Sequence, residues 1–268
     1  MRIRVLTVAA LAVGIGLGGP AGSAAGDDAA PGGVRAATGS VSILQAKWPY
    51  PRIEVTADFG DWTFAKSDPC PATTLAGCSV RVYSSSMCDR GARTVTNPSA
   101  GLITGSVGKQ RLRLDPPTGA TGGYQLAGAI DLLQGGETVR FEAAGDATGV
   151  PAFSGQVVAP ALVALTTPTS PQLVRGSAFP VAWSPSSPNG VVRVGLTSFS
   201  GPTQTTVMCE FDGRRGSGAV PAEVVNRLSV GRLVFAVDVI SSAVVVAGAF
   251  TVTIEVQNSL VSGTGSLR

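Results

Sequence analysis

Apolar and polar residues alternate along most of the chain beyond residue 40. The stretches "VSILQA", "RIEVTADF", "SVRVY", "KQRLRLD" and "ETVRFEA" each change sides at every step. A two-residue period marks a strand with one face buried and one face wet. Turn-forming clusters separate these stretches: "DPPTGATGG", "AAGDATG", "SPSSPNG" and "DGRRGSG". The most apolar run, "SSAVVVAGAFTVTIEV", carries Thr251, Thr253 and Glu255 on alternate positions, so it too predicts a strand and not a membrane span. Helical periodicity is confined to "PAEVVNRL" at 221–228. There Pro221 suits a first helical turn, Glu223 suits the N-terminal end of the dipole, and Val224, Val225 and Leu228 share a face. Many short strands with Gly/Pro turns predict an all-β chain built as two β-sandwich domains in tandem.

The predicted organisation is as follows. Residues 1–25 read as a signal peptide: Arg2 and Arg4, an apolar run from Val5 to Leu17, then small residues with Ser23 and Ala25 flanking the cut. Residues 26–39 are Gly, Ala and Asp without period, a flexible lead-in. A β-sandwich domain is expected over 40–165. A proline-bearing join, "LTTPTSPQLVRG", opens a second, immunoglobulin-like sandwich over 166–258, in which Trp183 is a core aromatic. The polar "NSLVSGTGSLR" suggests a tail over 259–268.

Three segments, "VPAFSGQVVAPALVALTTP", "FPVAWS" and "CEFDGRRGSGAVPAEVVNRL", resemble a group of secreted bacterial proteins of unknown function. The shared pattern is a V-P-A-F exit strand, a proline-rich join and a C-terminal immunoglobulin-like domain with a V-x-W strand. It covers residues 150–268 and the first half only loosely. The resemblance implies a sandwich fold and carries no catalytic residue.

Composition narrows the chemistry. No histidine occurs among the 268 residues. That removes Ser–His and Cys–His nucleophile pairs, histidine metal ligands and the side chain that titrates nearest neutrality. The formal net charge of +3 falls further once Arg2 and Arg4 are cleaved away, so no electrostatic case exists for nucleic acid or anionic membranes. An exported, secreted or periplasmic location permits disulfides between the four cysteines. Cys70 and Cys78 flank a short loop and are the favoured pair, with Cys70–Cys88 as the alternative; Cys209 is then a buried free thiol in the other domain. The spacing of Cys70, Cys78 and Cys88 does not match structural zinc knuckles.

Two further candidates carry function. Asp58 and Asp61 in "TADFGDW" form a weak calcium candidate, or the carboxylate pair of a polysaccharide-acting enzyme. Trp48, Tyr50 and Trp62 offer an aromatic binding face for sugar rings or partner side chains. The glycine-rich "LLQGGE" and "DGRRGSG" match neither a P-loop nor a dinucleotide fingerprint, and no cofactor is implied.

The crowded stretch 207–222, "VMCEFDGRRGSGAVPA", aligns with 139–152, "VRFEAAGDATGVPA". Val207 meets Val139, Cys209 meets Phe141 and Glu210 meets Glu142. The alignment predicts a strand, a turn with Arg214 and Arg215 at its tip, and a helix entry. The functional expectation is a non-enzymatic secreted binding or scaffold protein, acting on an extracellular or envelope protein or a polysaccharide. The alternatives are an envelope component assembling through sheet edges, and an enzyme or accessory module using Asp58 and Asp61.

Overall fold

The alternating segments do form strands. The computed structural model describes residues 37–46, 52–60, 70–84, 97–117, 123–128, 132–168 and 171–268, and all of them lie in one compact unit. In chain order the strands are β1 (Ala37–Ala46), β2 (Arg52–Asp58), β3 (Thr73–Leu75), β4 (Cys78–Ser84), β5 (Ile103–Val107), β6 (Gln110–Leu114), β7 (Tyr124–Gly128), β8 (Thr138–Ala143) and β9 (Phe153–Val158). They continue with β10 (Ala164–Thr167), β11 (Gln172–Leu173), β12 (Phe179–Ser184), β13 (Val191–Ser200), β14 (Thr203–Asp212), β15 (Ser217–Val220), β16 (Gly231–Ala247) and β17 (Phe250–Leu267). One short helix, α1 (Ala222–Val225), begins just after Pro221 and buries Val224 and Val225, with Leu228 beneath its exit.

The fold is all-β. A ten-stranded sheet runs β3-β4-β14-β13-β16-β17-β1-β2-β7, with β11 added beside β17. Two smaller sheets cover parts of it: β6-β5-β8-β9 and β10-β12-β15. Each makes its own apolar core. The first joins Ile103, Phe141 and Phe153 of the four-stranded sheet to Val41, Val55 and Ile254 of the large one. The second joins Val181, Trp183 and Val220 to Val194, Val207 and Phe235. Trp183 is buried as expected, and its Nε1–H donates to the carbonyl of Gly213 at 3.0 Å.

Strands β16 and β17, 17 and 18 residues long, serve both cores. Extended chain rises about 3.4 Å per residue, so each spans more than 50 Å, several times the mode for strands. Along β16 the odd-numbered residues form one buried row: Leu233, Phe235, Val237 and Val239 enter the second core, and Ala243, Val245 and Ala247 the first. Gly155 of β9 shows how tightly the first sandwich closes, since a Cβ there would meet the side chains of Val245 and Ile254.

Several sequence expectations are corrected here. The cores do not divide at residues 165 and 166, which fall inside β10. The "join" is itself strand: β10 pairs β12, and β11 pairs β17. Strand β1 begins at Ala37, so residues 37–39 of the expected lead-in pair with Phe250–Val252. The expected tail is the end of β17, paired with β16 as far as Leu267. One of its small residues has a packing reason, because a Cβ on Gly265 would strike the backbone of Pro171. The segment 1–36, including the predicted signal peptide, lies outside the described residues.

The cysteine pairing is also corrected. Cys78 bonds Cys209, 131 residues away, with the Cα atoms 4.3 Å apart. The reason is the topology: β4 joins the large sheet at the edge of β14, and its first residue stands directly opposite Cys209. The Cα separation is that of a non-hydrogen-bonded antiparallel pair, about 4.5 Å, whose side chains lie closest. The Cys70–Cys78 pair is therefore excluded and Cys209 is no free thiol. Cys70 is disulfide-bonded as well, and Cys88 lies outside the described residues. Closing a loop of this length gives a crosslink worth about 2–5 kcal/mol. A Cys78→Ala/Cys209→Ala double variant should lose about that much in denaturant unfolding. Non-reducing peptide mapping should recover a peptide containing Cys78 joined to one containing Cys209.

Candidate functional site

The large sheet has a second face, turned away from both cores. Polar and small residues dominate there, but three strands carry a single charge inside an otherwise valine-rich run: "VVRVGL", "FAVDVI" and "VTIEV". Register brings these charges together. Arg193 on β13 stands opposite Asp238 on β16 and, on its other side, opposite Glu210 on β14. Asp238 in turn stands opposite Ser259 on β17, at a bulge where the register of β16 and β17 shifts. Glu255 lies further along β17, opposite Ser242 and Ser42.

Arg193 is 6% exposed and Asp238 8%, although neither faces a core. The Arg193 guanidinium donates through Nε to Glu210 Oε1 at 2.9 Å, and its Nη2 lies 2.8 Å from the same oxygen. Glu210 keeps 44% of its side chain exposed, so this end of the row is open to water. Burial pushes the Asp238 carboxyl above its usual range, while hydrogen bonds from Ser259 and Gln257 and the charge of Arg193 partly oppose the rise. Burial raises the Glu255 carboxyl too; Arg193 lowers it, and the neighbouring charges of Glu210 and Asp238 add to the rise. One cation thus faces three carboxyls. The arrangement fastens four adjacent strands and holds protons at pH values where free carboxyls have lost them.

A quieter polar layer lies on the opposite, core-facing side. Gln45 and Asn258 are register partners on β1 and β17, and both are buried. The Gln45 amide accepts from the backbone N–H of Leu132 and Leu133 and donates to the carbonyl of Leu133. Ser241, also buried, donates to the carbonyl of Val158 at 2.6 Å. These side chains sit where one apolar core gives way to the other.

The residues singled out in the sequence fall differently. Asp58 ends β2, and its Oδ1 accepts from the N–H of Gly60 at 3.1 Å, the local bond of an Asx turn. Asp61, Trp48, Tyr50 and Trp62 lie outside the described residues. Among the described residues no group of three or more His, Cys, Asp or Glu is placed to hold a metal, and no helix is long and apolar enough to cross a membrane. In the repeated motif, Phe141 and Cys209 share a buried role, as do Val150 and Val220. The turn after Cys209 is a 3₁₀ turn, Gly213–Arg215, capped by Asp212, which accepts from the backbone and guanidinium of Arg214. Those bonds hold the exposed Asp212 carboxyl below its usual range. The row as such was missed in the sequence, and the signal was there to find: Arg193, Asp238 and Glu255 are each a lone charge in an apolar run. No family model and no curated protein matches the chain.

Removing the cation should cost more than removing its exposed partner. Arg193→Leu leaves Glu210, the buried Asp238 and the half-buried Glu255 with no cation among them. Loss of one partner from a buried pair costs about 3–5 kcal/mol; with Glu210 half exposed, a loss of about 2–3 kcal/mol is expected. Glu210→Gln should cost under ~1 kcal/mol, because Arg193 keeps Asp238 beside it. Urea unfolding of both variants at one pH checks the order.

Proposed function

We propose that the chain is an exported, non-enzymatic binding or scaffold protein, working in the periplasm or outside the cell on an envelope protein or a polysaccharide. The reading rests on a broad, rigid and wet sheet face. On its outer side β16 exposes Val244 at 61% and Val246 at 75%. Beside them in register stand Thr253 and Thr251 of β17, and next to those Ser40 and Thr38 of β1. Strand β17 is paired on both sides, and Val244 and Val246 are held to it by the β16 ladder, so a ligand meets side chains already placed in register. The signal-type N-terminus and the long-range disulfide suit an oxidising compartment, and the lack of histidine suits a non-enzymatic role.

Assembly through sheet edges is less well supported. The strands that end the three sheets, β3, β7, β6, β9, β10 and β15, are short, and β6 carries the exposed Arg111 and Arg113. Short length and charge are the usual guards against edge-to-edge pairing.

The test is retention of the purified protein on immobilised envelope fractions and polysaccharides, alongside a Val244→Lys/Val246→Lys variant. The wild type should be retained by at least one fraction and the variant at least tenfold less. Failure of the wild type on every fraction, or equal retention of the variant, would count against this face as the binding surface.

A further inference from the structure

We propose that the row Glu210–Arg193–Asp238–Glu255 is a proton-operated clasp across the central strands of the large sheet. It is closed when the Asp238 and Glu255 carboxyls carry protons and loosened as they ionise.

The geometry carries the inference. Arg193 spends its guanidinium on Glu210, at 2.8 and 2.9 Å, and not on the more deeply buried Asp238. Once Glu210 neutralises Arg193, any charge on Asp238 or Glu255 is an unbalanced charge on a buried patch. A proton on Asp238 removes the excess and lets the carboxyl remain hydrogen-bonded to Gln257 and Ser259. The location matters as much as the charge. Asp238 sits at the register shift between β16 and β17, where the ladder is interrupted and pairing is weakest. On β16 it is flanked by Val237 and Val239 of the second core, so loosening there acts on that core's wall.

The charged groups on this face, strand by strand among the described residues, are few. Strand β13 presents Arg193, β14 presents Glu210 and Asp212, β16 presents Arg232 six residues from Asp238, and β17 presents Glu255. Beyond β17, β1 presents Ser42 and Leu44, which do not titrate, and β2 presents Arg52, Glu54 and Asp58. Beyond β14, β4 presents Arg81, opposite Thr206 and two pairs from Glu210. Arg193 is thus the cation in register with Asp238.

The direction of the pH effect follows from the raised carboxyls. A carboxyl whose pKa is raised by folding holds a proton that the unfolded chain has given up. Stability therefore falls as pH rises from the unfolded values, about 3.9 for Asp and 4.3 for Glu, through the folded ones. Asp146 and Asp212 act oppositely: turn hydrogen bonds lower them, so their contribution is lost only as pH drops below the ordinary range. The protein should be most stable in mild acid.

Thermal unfolding midpoints of the purified protein at pH 5, 6, 7 and 8 test this, with Asp238→Asn, Glu255→Gln and, as a control on the same face, Glu54→Gln. The wild-type midpoint should fall by about 3 °C or more from pH 5 to pH 8. Asp238→Asn should at least halve that fall and should melt above the wild type at pH 8. Glu255→Gln should act in the same direction, and Glu54→Gln should leave the slope unchanged. A wild-type midpoint that is flat or rises toward pH 8 would overturn the proposal. So would an Asp238→Asn variant with an undiminished slope. If neither row variant folds, the wild-type slope alone still decides. Retention on envelope fractions plays no part in this readout, so the clasp and the binding face fail separately.

Discussion

The structure depends on the pairing of β16 with β17 over their whole length. A sandwich needs two sheets with apolar faces, and here one hairpin supplies part of the wall of both. Along β16 every second side chain from Leu233 to Ala247 turns toward a core, and only over Val237–Ser241 is the other face buried as well. The first core closes on the distal end through β9, and the second closes on the proximal end through β12 and β15. Neither core is complete without strand from the other half of the chain. Val252 and Ile254 line the first, while Cys78 and Val80 line the second.

Two devices then hold the shared sheet together across its width. The Cys78–Cys209 crosslink fixes the β3–β4 hairpin to the edge of β14. The charged row ties β14, β13, β16 and β17 on the outer face. They differ in kind. The disulfide acts chiefly by restricting the unfolded chain and is indifferent to pH. The charged row stores electrostatic imbalance and answers to protons. A chain without histidine can still respond to mild acid, provided burial lifts its carboxyls toward that range.

The local physics was legible in the sequence and the long-range pairing was not. Alternation located the strands. The V-x-W context placed Trp183 in a core, and the 221–228 pattern placed Val224, Val225 and Leu228 under a short helix. The repeated motif gave Cys209 its burial. What periodicity cannot say is which strand lies beside which. The parallel pairing of β1 with β17 joins Ala37 to Phe250, and nothing local in either segment encodes it. The same gap produced the pairing of Cys70 with Cys78: short separation was favoured where topology brought distant strands together. Cysteine parity held a clue, since leaving Cys209 alone forces a second unpaired thiol on an exported chain. The polar 259–268 segment misled for a steric reason. Gly265 stands beside Pro171 with no room for a Cβ, and composition alone does not separate crowding from exposure.

If the hairpin binds the two cores into one body, they must unfold together. Differential scanning calorimetry of the intact chain is the most direct test. A single transition, with calorimetric and van't Hoff enthalpies in a ratio near one, is the expected result. Two resolved transitions, or a ratio well above one, would mean that the cores are separate domains and that the shared strands do not unify them.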